Sequence, residues 1–202
     1  WAEPQELKER ETDNWNKFME YITQNDLPAL PEYYTDSNRH GLRFLQGSQW
    51  NNEFAYNEIF QHDTWRRENF PLDHSKFKDF LNSGAMYVIG RCKTSHQPVT
   101  VMRMKKFMNF TKDPEERAKL SYVFYDWVLQ NMMVPGHIEQ WIIIIDFEDI
   151  GLSEIPISDL KHFLKAIQRN QRGRMFRNVL VNSHWIISKL WNTIKGWLDP
   201  FV

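Results

Sequence analysis

The chain has 202 residues, of which 42% are hydrophobic and 25% are charged, and its net charge is −1. This composition is typical of a globular protein and excludes a largely disordered one. The single cysteine, Cys92, excludes an internal disulfide framework and a cysteine-rich zinc site. The longest apolar runs, such as 141–145, have five residues, whereas a helix that spans a membrane needs roughly 20.

The first part of the chain is predicted to be helical. Apolar residues recur every three or four positions in residues 12–24 and again in residues 51–68, where Asn51 can cap the helix. A further short helix is expected over residues 38–45. Residues 1–75 are therefore predicted to form an N-terminal all-helical module.

The pattern of the remaining chain indicates a sheet with helices. Residues 85–89 and 99–102 predict two strands of a hairpin. Asp113 followed by Pro114 is a strong start signal for a helix. Residues 141–145 predict a strand that is apolar on both faces, which is typical of the interior of a parallel sheet.

Three more elements complete the prediction: a helix around residues 160–167, a strand at 179–181 and a last helix that Ser183 can cap. Alternating strands and helices predict an α/β fold with a mixed, mostly parallel sheet flanked by helices. Strand 141–145 is expected in the interior of this sheet. Residues 76–202 are predicted to form this α/β core.

The sequence contains none of the common catalytic or phosphate-binding motifs, namely GxSxG, GxxxxGK[ST], GxGxxG and HExxH. The seven histidines include no pair four residues apart, so their spacing gives no support for a metal site. We therefore predict no catalytic residues, no metal and no cofactor.

Positive charge is concentrated near the C-terminus. Residues 159–202 contain eight basic and two acidic residues, a net charge of +6. This excess predicts a surface that faces anions, with a simple solvated helix face as the alternative. Nucleic acid is not expected as a partner, because the whole chain is nearly neutral and offers no clear platform for stacking bases.

Several segments, taken in order, resemble the CRAL-TRIO family of lipid-carrying domains, whose members transfer phosphatidylinositol, tocopherol or retinaldehyde. Residues 42–46 (LRFLQ) and 65–68 (WRRE) are similar to the family's N-terminal helices. Residues 97–99 (QPV) resemble its first hairpin, and 144–151 (IIDFEDIG) its central strand with the following turn. Residues 174–200 resemble its last parallel strand and the next helix.

The resemblance implies an apolar cavity on one face of the sheet, closed by a mobile helix. By position it implies six residues that face a lipid or other hydrophobic small molecule: Ile89, Thr100, Met102, Ile143, Ile145 and Leu180. Ordinary packing in the core is the alternative for each of them. It also places Arg177 where phosphoinositide-sensing relatives carry a basic residue. The anionic headgroup is expected to meet five basic residues: Lys165, Arg169, Arg172, Arg174 and Arg177.

The sequence departs from the family pattern in three places. Gly173 stands where the phosphatidylinositol carriers have an acid, Ile89 stands where some members have a tyrosine, and Val202 lies about where the gate helix would begin. Two functions follow as predictions. The first is non-catalytic binding or transfer of a lipid, with a basic edge for an anionic membrane surface. The alternative is a structural or adaptor subunit of a larger protein assembly that keeps the scaffold without carrying lipid.

The expected location is the cytoplasm or the periphery of a membrane. The chain begins with Trp1 rather than Met, so the sequence leaves import into an organelle open.

Overall fold

The computed structural model describes residues 7–35, 39–151, 154–155, 157–183 and 191–197. By its internal contacts the chain divides into two units. The first unit consists of Trp1–Pro71 together with the short segment Val134–Glu139, and the second consists of Leu72–Met133 together with Gln140–Val202.

The first unit is helical. Its core contains eight buried apolar side chains from all four helices and the connection before the second: Phe18, Ile22, Leu30, Tyr34, Phe44, Leu45, Ala55 and Ile59. Asn51 caps the last helix by accepting a hydrogen bond from the Phe54 amide at 2.9 Å, as the sequence predicts. Its helices are α1 (Glu9–Gln24), α2 (Glu32–Thr35), α3 (His40–Gly47) and α4 (Asn52–Asn69).

The second unit contains a four-stranded sheet and further helices. Asp113 caps the longest helix through the Glu115 amide at 3.0 Å, and Pro114 occupies the first turn. A 3₁₀ turn, His74–Phe77, comes first in the unit. The helices and strands that follow are α5 (Lys78–Asn82), β1 (Met86–Arg91), β2 (Pro98–Arg103), α6 (Met104–Phe110), α7 (Pro114–Met132), β3 (Trp141–Asp146), α8 (Ile157–Asn170) and β4 (Met175–Val181).

The sheet has the strand order β1-β2-β3-β4. Strand β1 runs antiparallel to β2, while β2, β3 and β4 are parallel to one another. The apolar strand β3 therefore lies in the interior, which confirms the predicted α/β fold with a mixed, mostly parallel sheet.

The core of the second unit lies between one face of the sheet and the helices. It joins Met86, Met102, Trp141 and Ile143 of the sheet to apolar residues of α5, α6 and α7. Leu160 and Ile167 of α8 pack against the same core. The ring of Tyr125 on α7 stacks on Trp141 of β3, with 4.5 Å between the ring centroids.

The observed elements differ from the prediction in their extent. Helices α2, α5 and α6, which have four to seven residues, were not predicted. Strand β4 begins at Met175 rather than at residue 179. A helical turn is present at residues 191–194, but most of the predicted last helix, residues 184–190 and 198–202, lies outside the described residues.

Candidate ligand-binding face of the sheet

The two faces of the sheet have different surroundings. Side chains alternate between faces along each strand, and the pairing of β2 with β3 aligns Thr100 with Ile143 and Met102 with Ile145. Ile145 in turn aligns with Leu180 of β4. Except for Thr100, all of these residues pack in or against the core formed with the helices. We call this side of the sheet the helix face.

Thr100 also belongs to the helix face. Its hydroxyl donates a hydrogen bond to the Ile142 carbonyl at 3.2 Å, and its side chain is hydrogen bonded to Tyr125 of α7. Tyr125 is fully buried, and this burial raises the pKa of its hydroxyl well above the ordinary value. The Thr100–Tyr125 contact is thus a polar contact inside an apolar core.

Five of the six residues predicted to face a lipid therefore lie on the helix face: Thr100, Met102, Ile143, Ile145 and Leu180. The set is consistent in itself, because all five share one face of the sheet. It is the face that the helices cover, however, so these side chains serve the core of the unit. The alternative of ordinary core packing accounts for all five.

The sixth predicted residue, Ile89, has a different position. The pairing of β1 with β2 shifts between Val88 and Gly90, so Ile89 lies in a β-bulge. Its side chain is 58% exposed. Ile89 is accessible to a ligand, although it lies on an edge strand rather than at the centre of the sheet.

The opposite side of the sheet, which we call the open face, is also apolar. Val101 on it is buried, whereas Val99, Ile142, Ile144 and Val179 remain partly exposed and Tyr87 is 37% exposed. Its central apolar residues, which alternate with the helix face along each strand, are Tyr87, Val99, Val101, Ile142, Ile144 and Val179.

Arg177 is the basic residue of β4 that pairs with Ile142 and so belongs to the open face. Its side chain is exposed, and its guanidinium carbon lies 5.7 Å from the ring centroid of the neighbouring Phe176. The open face therefore combines an apolar centre with one positive charge on the last strand.

The five predicted headgroup residues separate into two groups. Arg172 and Arg174 are buried, with 9% and 6% exposure, in the connection between α8 and β4. Lys165, Arg169 and Arg177 are exposed. A buried guanidinium does not reach a membrane surface, so the headgroup contact stays a prediction for the three exposed residues and is withdrawn for Arg172 and Arg174.

Polar residues at the carboxyl ends of β3 and β4 hold the local turns. Asp146 accepts hydrogen bonds from the side chain of Asn182 at 2.8 Å and from the Glu148 amide at 3.0 Å. Glu154 accepts from the Gly151 amide at 2.8 Å and pairs with Lys105. In the described part of the chain, no group of three or more His, Cys, Asp or Glu side chains is placed to hold a metal ion.

The model of the CRAL/TRIO domain family matches residues 81–202, more than half of the chain. The chain belongs to the CRAL/TRIO domain family. This confirms the resemblance found in the sequence. Domains of this family generally bind and transfer lipids and do not catalyse reactions.

Two similar proteins support the assignment. A CRAL-TRIO domain-containing protein of Schizosaccharomyces pombe is 25% identical over 174 residues, which cover 80% of this chain and 38% of that protein. The chain thus spans well under half the length of this relative. The crystal structure of Sfh5 matches with a TM-score of 0.69 at 10% identity, over 97% of this chain and 78% of that one. At this identity the likeness concerns the fold alone.

No helix among the described residues is both long and apolar enough to cross a bilayer.

Proposed function

We propose that this chain binds the hydrocarbon part of a lipid on the open face of its sheet, without catalysis. One observation carries the proposal: β3 is apolar on both faces, yet among the described residues only the side chains of its helix face belong to the core. Ile142 and Ile144 on the other side stay partly exposed. An apolar surface at the centre of a sheet is a suitable floor for an apolar ligand.

The energetics of association favour a ligand with a long chain. Each buried methylene group contributes about 0.8 kcal/mol, so about ten of them contribute about 8 kcal/mol. Association itself costs at least about 4 kcal/mol. A small apolar molecule would leave little net affinity after this cost, whereas an acyl or isoprenoid chain would retain a useful amount.

The test is the lipid that the protein retains. The purified protein is incubated with vesicles of a mixed lipid extract, isolated again by size exclusion and extracted, and the bound lipid is identified by mass spectrometry. We expect about one lipid per chain for the wild type. The variant Ile142→Ser/Ile144→Ser should retain several-fold less, because two apolar contacts on the open face are replaced by hydroxyl groups.

A control on the same strand separates ligand binding from folding. Ile143→Val shortens a side chain of the helix face and should cost about 1 kcal/mol of stability, yet it should leave lipid retention unchanged. If Ile143→Val lowers retention as much as the serine variant does, the ligand does not use the open face.

The adaptor function is the alternative for the same scaffold. If the wild-type protein contains no lipid when it is isolated after incubation with the vesicles, lipid binding is contradicted and the adaptor hypothesis is favoured. The larger protein assembly and the cellular location predicted from the sequence remain predictions.

A further inference from the structure

Three cations form a single row along α8. Lys161, Lys165 and Arg169 are spaced four residues apart and are all exposed. Side chains four residues apart lie on the same side of a helix, and the rise of 1.5 Å per residue gives the row a length of roughly 12 Å. We call these three residues the cationic row.

This arrangement is unfavourable for the helix itself. Like charges four residues apart destabilise a helix. The helix is held instead by Leu160 and Ile167, which pack into the core of the second unit. An anionic surface against the row would attract all three charges at once.

Apolar groups border the cationic row. Ile157, one turn before Lys161, is 41% exposed. The Lys161 ammonium lies 5.5 Å from the centroid of the Trp197 ring, and Gln168 donates a hydrogen bond to the Trp197 carbonyl at 3.1 Å. Lysine and arginine beside an exposed aliphatic side chain and a tryptophan are typical of surfaces that lie on a bilayer.

We propose that the cationic row binds a membrane surface that carries anionic lipids, with Ile157 and Trp197 entering the headgroup region. This goes beyond ligand binding on the open face, because it concerns a different surface and needs no bound lipid. The cationic row takes the place of Arg172 and Arg174 as the proposed contact with anionic lipid, because those two residues are buried. The net charge of −1 disfavours nucleic acid, and the exposed Ile157 favours a bilayer over an acidic protein.

Co-sedimentation with vesicles tests the proposal. Vesicles of phosphatidylcholine are compared with vesicles that also contain phosphatidylserine, each at low and high salt. Wild-type protein should pellet only with phosphatidylserine, and its binding should weaken as salt rises. Each neutralised residue should lower the partition about fivefold, so Lys161→Gln/Lys165→Gln/Arg169→Gln should lower it about 100-fold.

A matched variant removes the same charge elsewhere in the same unit. Lys78, Lys93 and Lys119 are exposed lysines outside α8, and the variant Lys78→Gln/Lys93→Gln/Lys119→Gln should bind nearly as the wild type does. Far-ultraviolet circular dichroism should be unchanged in both variants, because all six residues are exposed. In addition, Ile157→Ser should lower the binding that persists at high salt.

Three results would overturn the proposal. The first is equal binding of the wild type and the row variant, and the second is an equal loss in the two charge variants. The third is binding to polyglutamate or to an RNA homopolymer with none to the vesicles, which would indicate an acidic protein or a nucleic acid as the partner. None of these affects lipid retention on the open face, so the two proposals fail separately.

Discussion

Neighbouring isoleucines of β3 have opposite roles, and this can be measured residue by residue. Ile143 is 5% exposed and belongs to the core, whereas Ile144 faces the other way and is partly exposed. We expect Ile143→Ala to lower the free energy of unfolding by about 3 kcal/mol through the cavity it leaves. Ile144→Ala should cost about 1 kcal/mol, because part of its side chain is already in contact with water.

Urea-induced unfolding of the two variants measures this difference. Equal losses would mean that another part of the protein covers Ile144 as completely as the helices cover Ile143. The comparison is well matched, because both substitutions remove the same atoms from adjacent positions of one strand.

The single cysteine offers a second measurement at the level of one residue. Cys92 lies in the turn between β1 and β2, where hydrogen bonds from Ser95 and Thr94 lower the pKa of its thiol to about 6. Thiolate is the reactive form. The rate of alkylation by iodoacetamide should therefore rise with pH through about 6 and level off near neutral pH. Ser95→Ala should move the midpoint toward the ordinary thiol value of roughly 8.5.

A small thiol measured in the same buffers provides the reference curve. If wild-type Cys92 follows that reference, with its midpoint near roughly 8.5, the hydrogen bonds from the turn do not stabilise the thiolate in solution.

Among the helices and strands, α7 shows how a local sequence signal sets an element boundary. Asp113 Oδ1 accepts a hydrogen bond from the Glu115 amide at 3.0 Å and so satisfies one of the free amides of the first turn. We expect Asp113→Ala to lower the free energy of unfolding by about 1 kcal/mol, while Asp113→Asn should retain most of the stability. Urea unfolding of the pair checks the prediction, and it is wrong if asparagine is as damaging as alanine.

The same elements show what the sequence could and could not predict. The sequence predicts the long helices α4 and α7 and the continuously apolar strand β3, because helical periodicity, caps and an unbroken apolar run are local signals. The short helices α2, α5 and α6 have fewer than eight residues. So few positions do not establish a helical period, and tertiary packing decides their conformation.

The sequence could not predict which face of the sheet packs against the helices. In β3 every residue from Trp141 to Ile145 is apolar, so alternation gives no sign of which side meets the helices. A shift of one residue in the register of a strand moves all of its side chains to the opposite face of the sheet. Five of the six predicted residues therefore share one face of the sheet, and it is the face that the helices cover. Placement of the group needed Tyr125 and Trp141, whose stacking identifies the helix face.

The sequence also does not show which of the basic residues are buried. Arg172 and Arg174 lie in a basic stretch that suggested one exposed surface, yet both are buried. The four-residue spacing of Lys161, Lys165 and Arg169 is a signal that can be used without the structure, because it places the three residues on one side of a helix whatever the tertiary fold.

At the scale of the whole molecule, the first unit takes part of its structure from a distant stretch of the chain. Arg43 on α3 is 6% exposed, and its guanidinium contacts the Glu139 carboxylate at 3.2 Å. Burial lowers the pKa of Arg43, and the charge of Glu139 opposes this effect. Glu139 also accepts a hydrogen bond from the Gly136 amide at 3.1 Å, so it anchors the segment Val134–Glu139.

Removal of one partner should be costly, because it leaves a charge with less compensation in a largely buried site. We expect Arg43→Met to lower the free energy of unfolding by about 3 kcal/mol. Combined with Glu139→Gln, the loss should be smaller than the sum of the two single losses. Thermal or urea unfolding of the three variants gives this coupling energy. Strictly additive losses would mean that the two side chains stabilise the unit independently.

The position of Glu139 in the chain has a consequence for synthesis. Arg43 and Glu139 are 96 residues apart, and a ribosome that adds about 5–20 residues per second takes about 5–20 s to cover that distance. The helices at the amino terminus thus emerge well before the segment that completes their unit. All of α7 is translated in the meantime, so the unit that starts first is finished only when β3 is about to appear.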